Sequence, residues 1–476
     1  MSIIKNGKNI IGVYKGDIPI LKIFKHNNLV YQHSSTGGTE TQYDITSTFN
    51  VTSTTSPTTL CYSSATSSFT EMYVDSVQID VTSGYTFNTT GEHTVNYMLA
   101  DKTKIRFSAF QDCSGLTSVD IGNGVTYIDN FAFQNCFGLN SVKIPNSVTN
   151  IGNYAFVGCS GLTSIGIPSS VTTIGSDAFS GCSGLTSIDI PSSVTTIGSD
   201  AFKYTPFYNN LPNGDVYLGS CYYIYKGTMP SNTSITIKDG TKSISSYAFS
   251  GCTTLTSIDI PSSITSIDGG AFYNCSGLTS IEIPSSVTNI GVNTFSGCKS
   301  LTSIYIPSSI TRIGSYTFQD CSGLTSIDIP SSVTSIDKGA FSKCSSLKAI
   351  TLPQNLSSNI SDNTFAGCTS LTEIVIPDSV PSISGGSVFS GCTSLQKITI
   401  GSRVTSIGTS SFIYKSIFTG CTSLREITCL APIAPKLLKK SIQGIEKNNG
   451  TLYVQQGSDY STWTAILKNW NVQYLT

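Results

Sequence analysis

The sequence predicts a β-rich solenoid, in which each coil contributes short parallel strands and one helical turn. Two observations carry this prediction: cysteines recur at intervals of mostly 23 residues, and a phenylalanine stands three residues before each of them. A hydrophobic content of 39% is enough for a continuous core. A fixed period of this length is typical of stacked repeat units. The repeating cysteines are Cys113, Cys136, Cys159, Cys182, Cys252, Cys275, Cys298, Cys321, Cys344, Cys368, Cys392 and Cys421.

One coil shows how the period is expected to fold. Leu162, Ile165 and Ile167 occupy its first, fourth and sixth positions, which is the strand pattern of a leucine-rich repeat. Pro168 ends the strand because proline cannot donate a backbone hydrogen bond. A helical turn through Phe179 then closes the coil. Thirteen such units fit between about residues 102 and 430, and stacking would bury the apolar set that no single coil can bury.

Other segments surround this array. Residues 1–33 predict short strands that form an N-terminal β anchor, and residues 34–42 have the composition of a linker. Residues 43–101 alternate apolar and polar side chains, which predicts a small β module that also caps the first coil. The period stops near residue 430, and residues 431–476 are predicted to close the last open edge as a cap.

A tyrosine-rich insertion, residues 203–231, interrupts the array. Its prolines and an Asn-Gly pair predict a hairpin and turns. Two interpretations stay open: an aromatic platform for a sugar or protein partner, or a hairpin packed on the flank of the solenoid. The platform residues would be Tyr217, Tyr222, Tyr223 and Tyr225.

The fifth position of each strand is predicted to face outward. At four successive strands it is occupied by Asp259, Glu282, Tyr305 and Asp328. Carboxylates beside a tyrosine, among serine and threonine hydroxyls, suit carbohydrate hydroxyls or a cation as ligand. The alternative is a row of solvated side chains without a ligand.

The repeating cysteines are predicted to be buried free thiols. Every one occupies the same inward position, so each interior cysteine has two equivalent neighbours and no natural disulfide partner. Closely spaced pairs such as C-x₂-C, which metal sites use, are absent from the sequence. Buried free cysteine behaves as a small hydrophobic side chain. We therefore expect neither a cofactor nor a metal site.

Charge and histidine content exclude several classes of function. The net charge of −1 shows no basic excess for nucleic acid, and no apolar run approaches the roughly 18 residues of a membrane span. The three histidines, His26, His33 and His93, lie in the first fifth of the chain, so histidine-dependent catalysis is not expected in the array. The first residues do not read as a secretory signal, and we expect synthesis in a reducing cytosol.

The repeat C-S-G-L-T-S-I-x-I-P-S-S-V-T-x-I-G-x-x-A-F resembles the BspA-type leucine-rich repeat of bacterial surface proteins, some protist surface proteins and phage-encoded proteins. The resemblance implies a binding or adhesion scaffold, and the family's motif contains no catalytic residues. Residues 1–33 resemble N-terminal segments of virion proteins from phages of gut Bacteroides-like bacteria. The expected protein is therefore non-enzymatic.

These resemblances lead to one expected function and its alternatives. The protein is expected to be a phage tail or capsid-decoration protein, made in the host cytoplasm and located on the virion. Residues 1–33 would contact other virion proteins, and the solenoid would bind a host-surface protein or glycan. A bacterial BspA-like adhesin at the cell surface is the main alternative. A polysaccharide-acting enzyme is less favoured, because flat coils offer no cleft, and a decoration without a ligand stays open.

Overall fold

The computed structural model describes residues 2–5, 8–15, 18–25, 28–31, 42–408, 416–437, 441–442 and 444–475. The predicted linker lies outside these residues except for Gln42, as do His26 and His33. The chain divides into two compact units. The first comprises residues 1–194 and 200–210, and the second comprises residues 195–199 and 211–476.

The first unit begins with a four-stranded antiparallel sheet in which each strand pairs with its neighbour in sequence. These strands occupy the segment for which the sequence predicts short strands. They are β1 (Ser2–Lys5), β2 (Lys8–Lys15), β3 (Ile18–Lys25) and β4 (Asn28–Tyr31).

A second, larger sheet joins the predicted β module to the first coils. Its strand β5 (Ile45–Val51) pairs antiparallel with β10 (Gly91–Leu99) on one side and with the first longer strand of the coils, β12 (Leu116–Ile121), on the other, where Val119 lies opposite Ser47. The module therefore covers the first coil through backbone hydrogen bonds. Its elements are β5 (Ile45–Val51), β6 (Thr58–Thr59), a 3₁₀ helix (Ser63–Ser68), β7 (Phe69–Val74), β8 (Val77–Ile79), β9 (Gly84–Tyr85) and β10 (Gly91–Leu99).

The coils of the first unit alternate a longer and a two-residue strand, and equivalent strands pair in parallel 23 residues apart. Between them the chain turns through i to i+3 hydrogen bonds, such as Cys182 N to Phe179 O at 3.2 Å. The strands are β11 (Lys104–Ile105), β12 (Leu116–Ile121), β13 (Tyr127–Ile128), β14 (Ser141–Lys143), β15 (Asn150–Ile151), β16 (Ser164–Gly166), β17 (Thr173–Ile174) and β18 (Ser187–Asp189), and a short helix α1 spans Pro206–Asn210.

The second unit is built in the same way and includes residues 211–231 of the insertion. The strands are β19 (Thr196–Ile197), β20 (Gly214–Leu218), β21 (Cys221–Lys226), β22 (Thr233–Thr236), β23 (Ser243–Ile244), β24 (Leu255–Asp259), β25 (Ser266–Ile267), β26 (Asn289–Ile290), β27 (Arg312–Ile313), β28 (Ser335–Ile336), β29 (Glu373–Ile376), β30 (Ser382–Ile383), β31 (Lys397–Ile400), β32 (Ser406–Ile407), β33 (Glu426–Cys429), β34 (Lys436–Leu437), β35 (Thr451–Gln455) and β36 (Asn471–Leu475), with α2 at Ser461–Ile466.

Parallel stacking in the second unit extends past the end of the sequence period. Strand β35 pairs in parallel with β33, and β36 pairs in parallel with β35. Trp463 of α2 is buried, and its indole nitrogen donates to the Pro435 carbonyl at 3.1 Å. The segment predicted as a cap thus contributes two further strands to the same sheet.

The core of each unit is a column of phenylalanine rings. In the first unit, Phe110, Phe133, Phe156, Phe179 and Phe202 are fully buried, and their ring centroids stand 5.1–5.7 Å apart with nearly parallel planes. The second unit has a ring column of the same kind, from Phe249 to Phe418. Leucine and isoleucine side chains of the strands pack around the rings. The predicted fold class, a β-rich leucine-rich-repeat solenoid with parallel strands, is confirmed.

Candidate ligand-binding face

Each coil's longer strand presents one exposed face, here called the strand face and defined by the third and fifth positions of that strand. Alternation along the strand produces it: in β29, Ile374 and Ile376 are buried, whereas Glu373 and Val375 are exposed. Parallel pairing then places equivalent side chains side by side, about 4.8 Å apart. The face is therefore a set of parallel rows of side chains.

Threonines at the second strand position hold the coils together beside this face. Thr256 Oγ1 donates to the Thr233 carbonyl at 3.0 Å, and Thr279 Oγ1 donates to the Thr256 carbonyl at 3.1 Å. Serines in the turn after the strand do the same, as when Ser286 Oγ donates to the Ile264 carbonyl at 2.6 Å. Much of the hydroxyl content thus satisfies backbone carbonyls from coil to coil, and it is not by itself a binding surface.

The predicted ligand residues of the fifth position lie on this face and are exposed. Glu282 pairs with Tyr305, and Tyr305 pairs with Asp328, so the tyrosine stands between two carboxylates on successive coils. The Tyr305 side chain is 63% exposed. Asp259 is exposed too and lies opposite Thr236 of the preceding coil. The structure therefore brings Glu282, Tyr305 and Asp328 together in one row.

The burial of two of its rings contradicts the predicted tyrosine platform. Tyr222 is fully buried, stacks on Phe249 with centroids 4.5 Å apart, and donates its hydroxyl to Asp215 Oδ1 at 2.7 Å. Tyr223 is also buried, and Tyr217 and Tyr225 pack partly buried against the core. Strand β21 places Tyr222 on the core because it pairs in parallel with β23 as one more coil, with Tyr222 opposite Ile244. Tyr222 and Tyr223 cannot present their rings to a ligand.

A charged row at the third position was not among the predicted sites. Glu373, Lys397 and Glu426 lie in register on β29, β31 and β33, followed by Thr451 on β35. Lys397 Nζ lies 2.6 Å from Glu426 Oε1, and this hydrogen bond and ion pair raise the pKa of the lysine.

A groove of about 370 Å³ follows this row. In the sequence, the groove could have been noticed because charged residues occupy the third strand position, where most other coils have serine. The lining residues are Thr372, Glu373, Gln396, Lys397, Arg425, Glu426, Thr451 and Tyr453.

The cysteines occupy the interior, as the inward position predicts. All fifteen are buried. Cys298 Sγ donates to the Phe272 carbonyl of the preceding coil at 3.3 Å, and the same bond recurs at Cys321 with the Phe295 carbonyl at 3.1 Å. Burial raises the pKa of the Cys321 thiol to about 12. These thiols are therefore poor nucleophiles and poor metal ligands at neutral pH.

Within the described ranges, no group of three or more histidine, cysteine, aspartate or glutamate side chains could hold a metal ion. No helix in that part of the chain is both long and apolar enough to cross a membrane. The strand face, which carries the exposed row of Glu282, Tyr305 and Asp328, is the candidate site.

Solved structures of other proteins are similar to this chain. A leucine-rich cell surface protein from Faecalibacterium prausnitzii A2-165 is 31% identical, with 64% of this chain and 83% of that chain covered and a TM-score of 0.32. A leucine-rich repeat protein from Bacteroides ovatus is 26% identical, with 80% and 89% covered and a TM-score of 0.40. The pneumococcal vaccine antigen PcpA is 16% identical, with 100% and 99% covered and a TM-score of 0.33.

A comparison with curated proteins found no match. The family model described as the BspA type leucine rich repeat region matches six copies, at residues 80–211, 221–348 and 311–428, which together make up more than half of the chain. With this match and the stacked parallel coils described above, the chain belongs to the BspA-type leucine-rich repeat family.

Proposed function

We propose that this protein is a non-enzymatic binding protein that attaches to a cell surface through its strand face. The observation that carries the proposal is the row of Glu282, Tyr305 and Asp328 on adjacent coils. A flat array of parallel strands offers repeated, evenly spaced contacts rather than an enclosed cleft. A single contact on such a face would bind weakly. Many copies of the protein, displayed together on one particle, would bind a cell surface more tightly through avidity.

The particle in this proposal is a phage virion, with the protein as a tail or capsid-decoration component. Support comes from the resemblance of residues 1–33 to phage virion proteins. Residues 1–33 would contact other virion proteins, and the solenoid would contact a host-surface protein or glycan. Membership of the BspA-type family favours the alternative equally, an adhesin on a bacterial surface.

Fractionation of the producing culture distinguishes the two locations. Particles with protected DNA are banded on a density gradient, and peptides of this protein are measured by mass spectrometry there and in washed cell envelopes. Enrichment with the particles supports the virion proposal. Enrichment in the envelopes, with particles that lack the protein, supports the adhesin and contradicts the virion.

Binding through the strand face is tested with whole gut Bacteroides-like cells and the purified full chain. Tyr305→Ala is expected to weaken cell binding, because it removes the ring between the two carboxylates. Tyr204→Ala is the matched control, since Tyr204 is 70% exposed and lies in a turn away from the strand face. Equal binding by the two variants would contradict the site. Turnover of host capsule by the purified protein would contradict the non-enzymatic proposal.

A further inference from the structure

The strand face changes character in its last coils. Up to Ser326 the second and third strand positions are mostly threonine and serine, as in Thr325-Ser326. They then become Lys348-Ala349, Thr372-Glu373, Gln396-Lys397 and Arg425-Glu426. The backbone pairing stays parallel and in register there. Stacking of the coils is thus satisfied by small hydroxyl residues, and it does not require the long polar side chains of these coils.

The side chains at the third position form a row in which the sign of the charge alternates. The in-register row consists of Glu373, Lys397, Glu426 and Thr451. The ion pair between Lys397 and Glu426 fixes the positions of their charged groups. The guanidinium group of Arg425 is anchored to the backbone by a hydrogen bond, in which its Nη1 donates to the Leu424 carbonyl at 3.0 Å. The groove beside this row, at about 370 Å³, lies at the small end of the range for ligand pockets.

The charges in the groove cancel. Two carboxylates, one ammonium and one guanidinium line it, so the groove attracts neither anions nor cations over distance. What it offers is a high density of charge-assisted donors and acceptors, to which Gln396 adds an amide that both donates and accepts. Sugar hydroxyls are uncharged and also both donate and accept. Tyr453 supplies an aromatic ring at the margin, suited to the apolar face of a sugar ring.

We propose that this groove, lined by Glu373, Gln396, Lys397, Arg425, Glu426 and Tyr453, binds a neutral glycan, one or two sugar rings at a time. The inference rests on the proposed function as a surface-binding protein and names the ligand class and the place. It differs from the row around Tyr305, which lies on earlier coils of the same unit.

The test is affinity electrophoresis of the full chain in gels that contain one polysaccharide each. Mannan, dextran and laminarin are the neutral probes, and polygalacturonate and heparin are the anionic ones. The double variant Lys397→Ala/Glu426→Ala removes both partners of the ion pair together, so neither is left without the other. Its matched control is Arg312→Ala/Asp337→Ala, which removes another ion pair of the same unit, at the two-residue strand β27 and directly after β28, outside the strand face.

We expect at least one neutral polysaccharide to retard the parent chain, and the groove variant to bind it about tenfold more weakly or worse, as the loss of charged hydrogen bonds implies. The control should bind like the parent, and retardation should change little with added salt because no counterions are released. Thermal melting of both variants within a few degrees of the parent confirms that they fold.

Other results overturn the inference. They are retardation by none of the neutral probes, retardation by the anionic probes alone, or equal loss in both variants. If cell binding persists while no neutral polysaccharide is bound, the groove inference alone fails. If a neutral polysaccharide is bound in the groove but cells are not, the proposed function fails and the groove inference stands.

Discussion

Alkaline pH is expected to unfold this protein through its buried thiols. Burial raises the pKa of Cys252 to about 11 and that of Cys392 to about 12, and it raises the pKa of Cys344 and Cys368 well above the ordinary value. In the unfolded chain the same thiols titrate near 8.5–9. Because the folded pKa is the higher one, the stabilisation is fully present below about pH 8.5 and is lost as the pH rises toward the folded values.

The magnitude follows from counting protons. Each thiol that keeps its proton in the folded state and loses it in the unfolded state lowers the free energy of unfolding by about 1.4 kcal/mol between about pH 7 and pH 10. Five such thiols would cost about 7 kcal/mol and ten about 14 kcal/mol, which spans the whole stability of a typical domain. All fifteen cysteines are buried. We therefore expect cooperative unfolding at about pH 10.

The assay follows thiolate absorbance and far-ultraviolet circular dichroism on the same samples, equilibrated at each pH with a reductant present. The two signals should change together, because the thiols ionise only when the coils open. Thiolate absorbance that rises near about pH 9 while the dichroism stays native would refute the reasoning, since thiols would then ionise inside the fold. A chain that is still folded at about pH 11 would refute it equally.

Five substitutions test the packing, each by urea unfolding. Phe295→Ala empties one place in the ring column and is expected to cost about 3–5 kcal/mol, whereas Tyr305→Ala, on the exposed strand face, should stay within about 0.5 kcal/mol. Tyr222→Phe removes a buried hydroxyl bonded at 2.7 Å to a carboxylate and should cost about 0.5–1.5 kcal/mol. Gly291→Ala would place a Cβ 2.3 Å from a backbone nitrogen of the preceding coil and should cost about 1–3 kcal/mol, whereas Gly166→Ala meets open space and should be neutral or slightly stabilising. Equal effects at the two glycines would contradict the close coil spacing.

The repeat itself could be predicted because it is local and periodic. Each inward side chain packs against the equivalent side chain of the next coil. An apolar residue, whether leucine, isoleucine, phenylalanine or cysteine, must therefore recur at the same position of every coil, and the core residues can be recognised by their period. Burial of Cys298 and Phe295 followed from that rule, and so did exposure of Glu282 and Tyr305. The BspA-type resemblance rested on the same residues.

Features without a period could not be predicted in this way. Tyr222 substitutes for a phenylalanine in the ring column, and the strands β35 and β36 continue the stack after the period has ended. Burial there depends on which strand the chain meets in space and not on its spacing in the sequence. The tyrosine platform was wrong for Tyr222 and Tyr223 for this reason.

The sequence by itself thus determined the fold class, the inward side chains and the family, because one coil's pattern repeats in the next. Only the tertiary structure decided which exposed side chains stand together. Lys397 and Glu426 are 29 residues apart, yet parallel pairing of β31 and β33 places them in one ion pair. The register between these strands is set by the stacking of the whole coil. This register decides which side chains line the groove, and the spacing of the residues in the sequence does not show it.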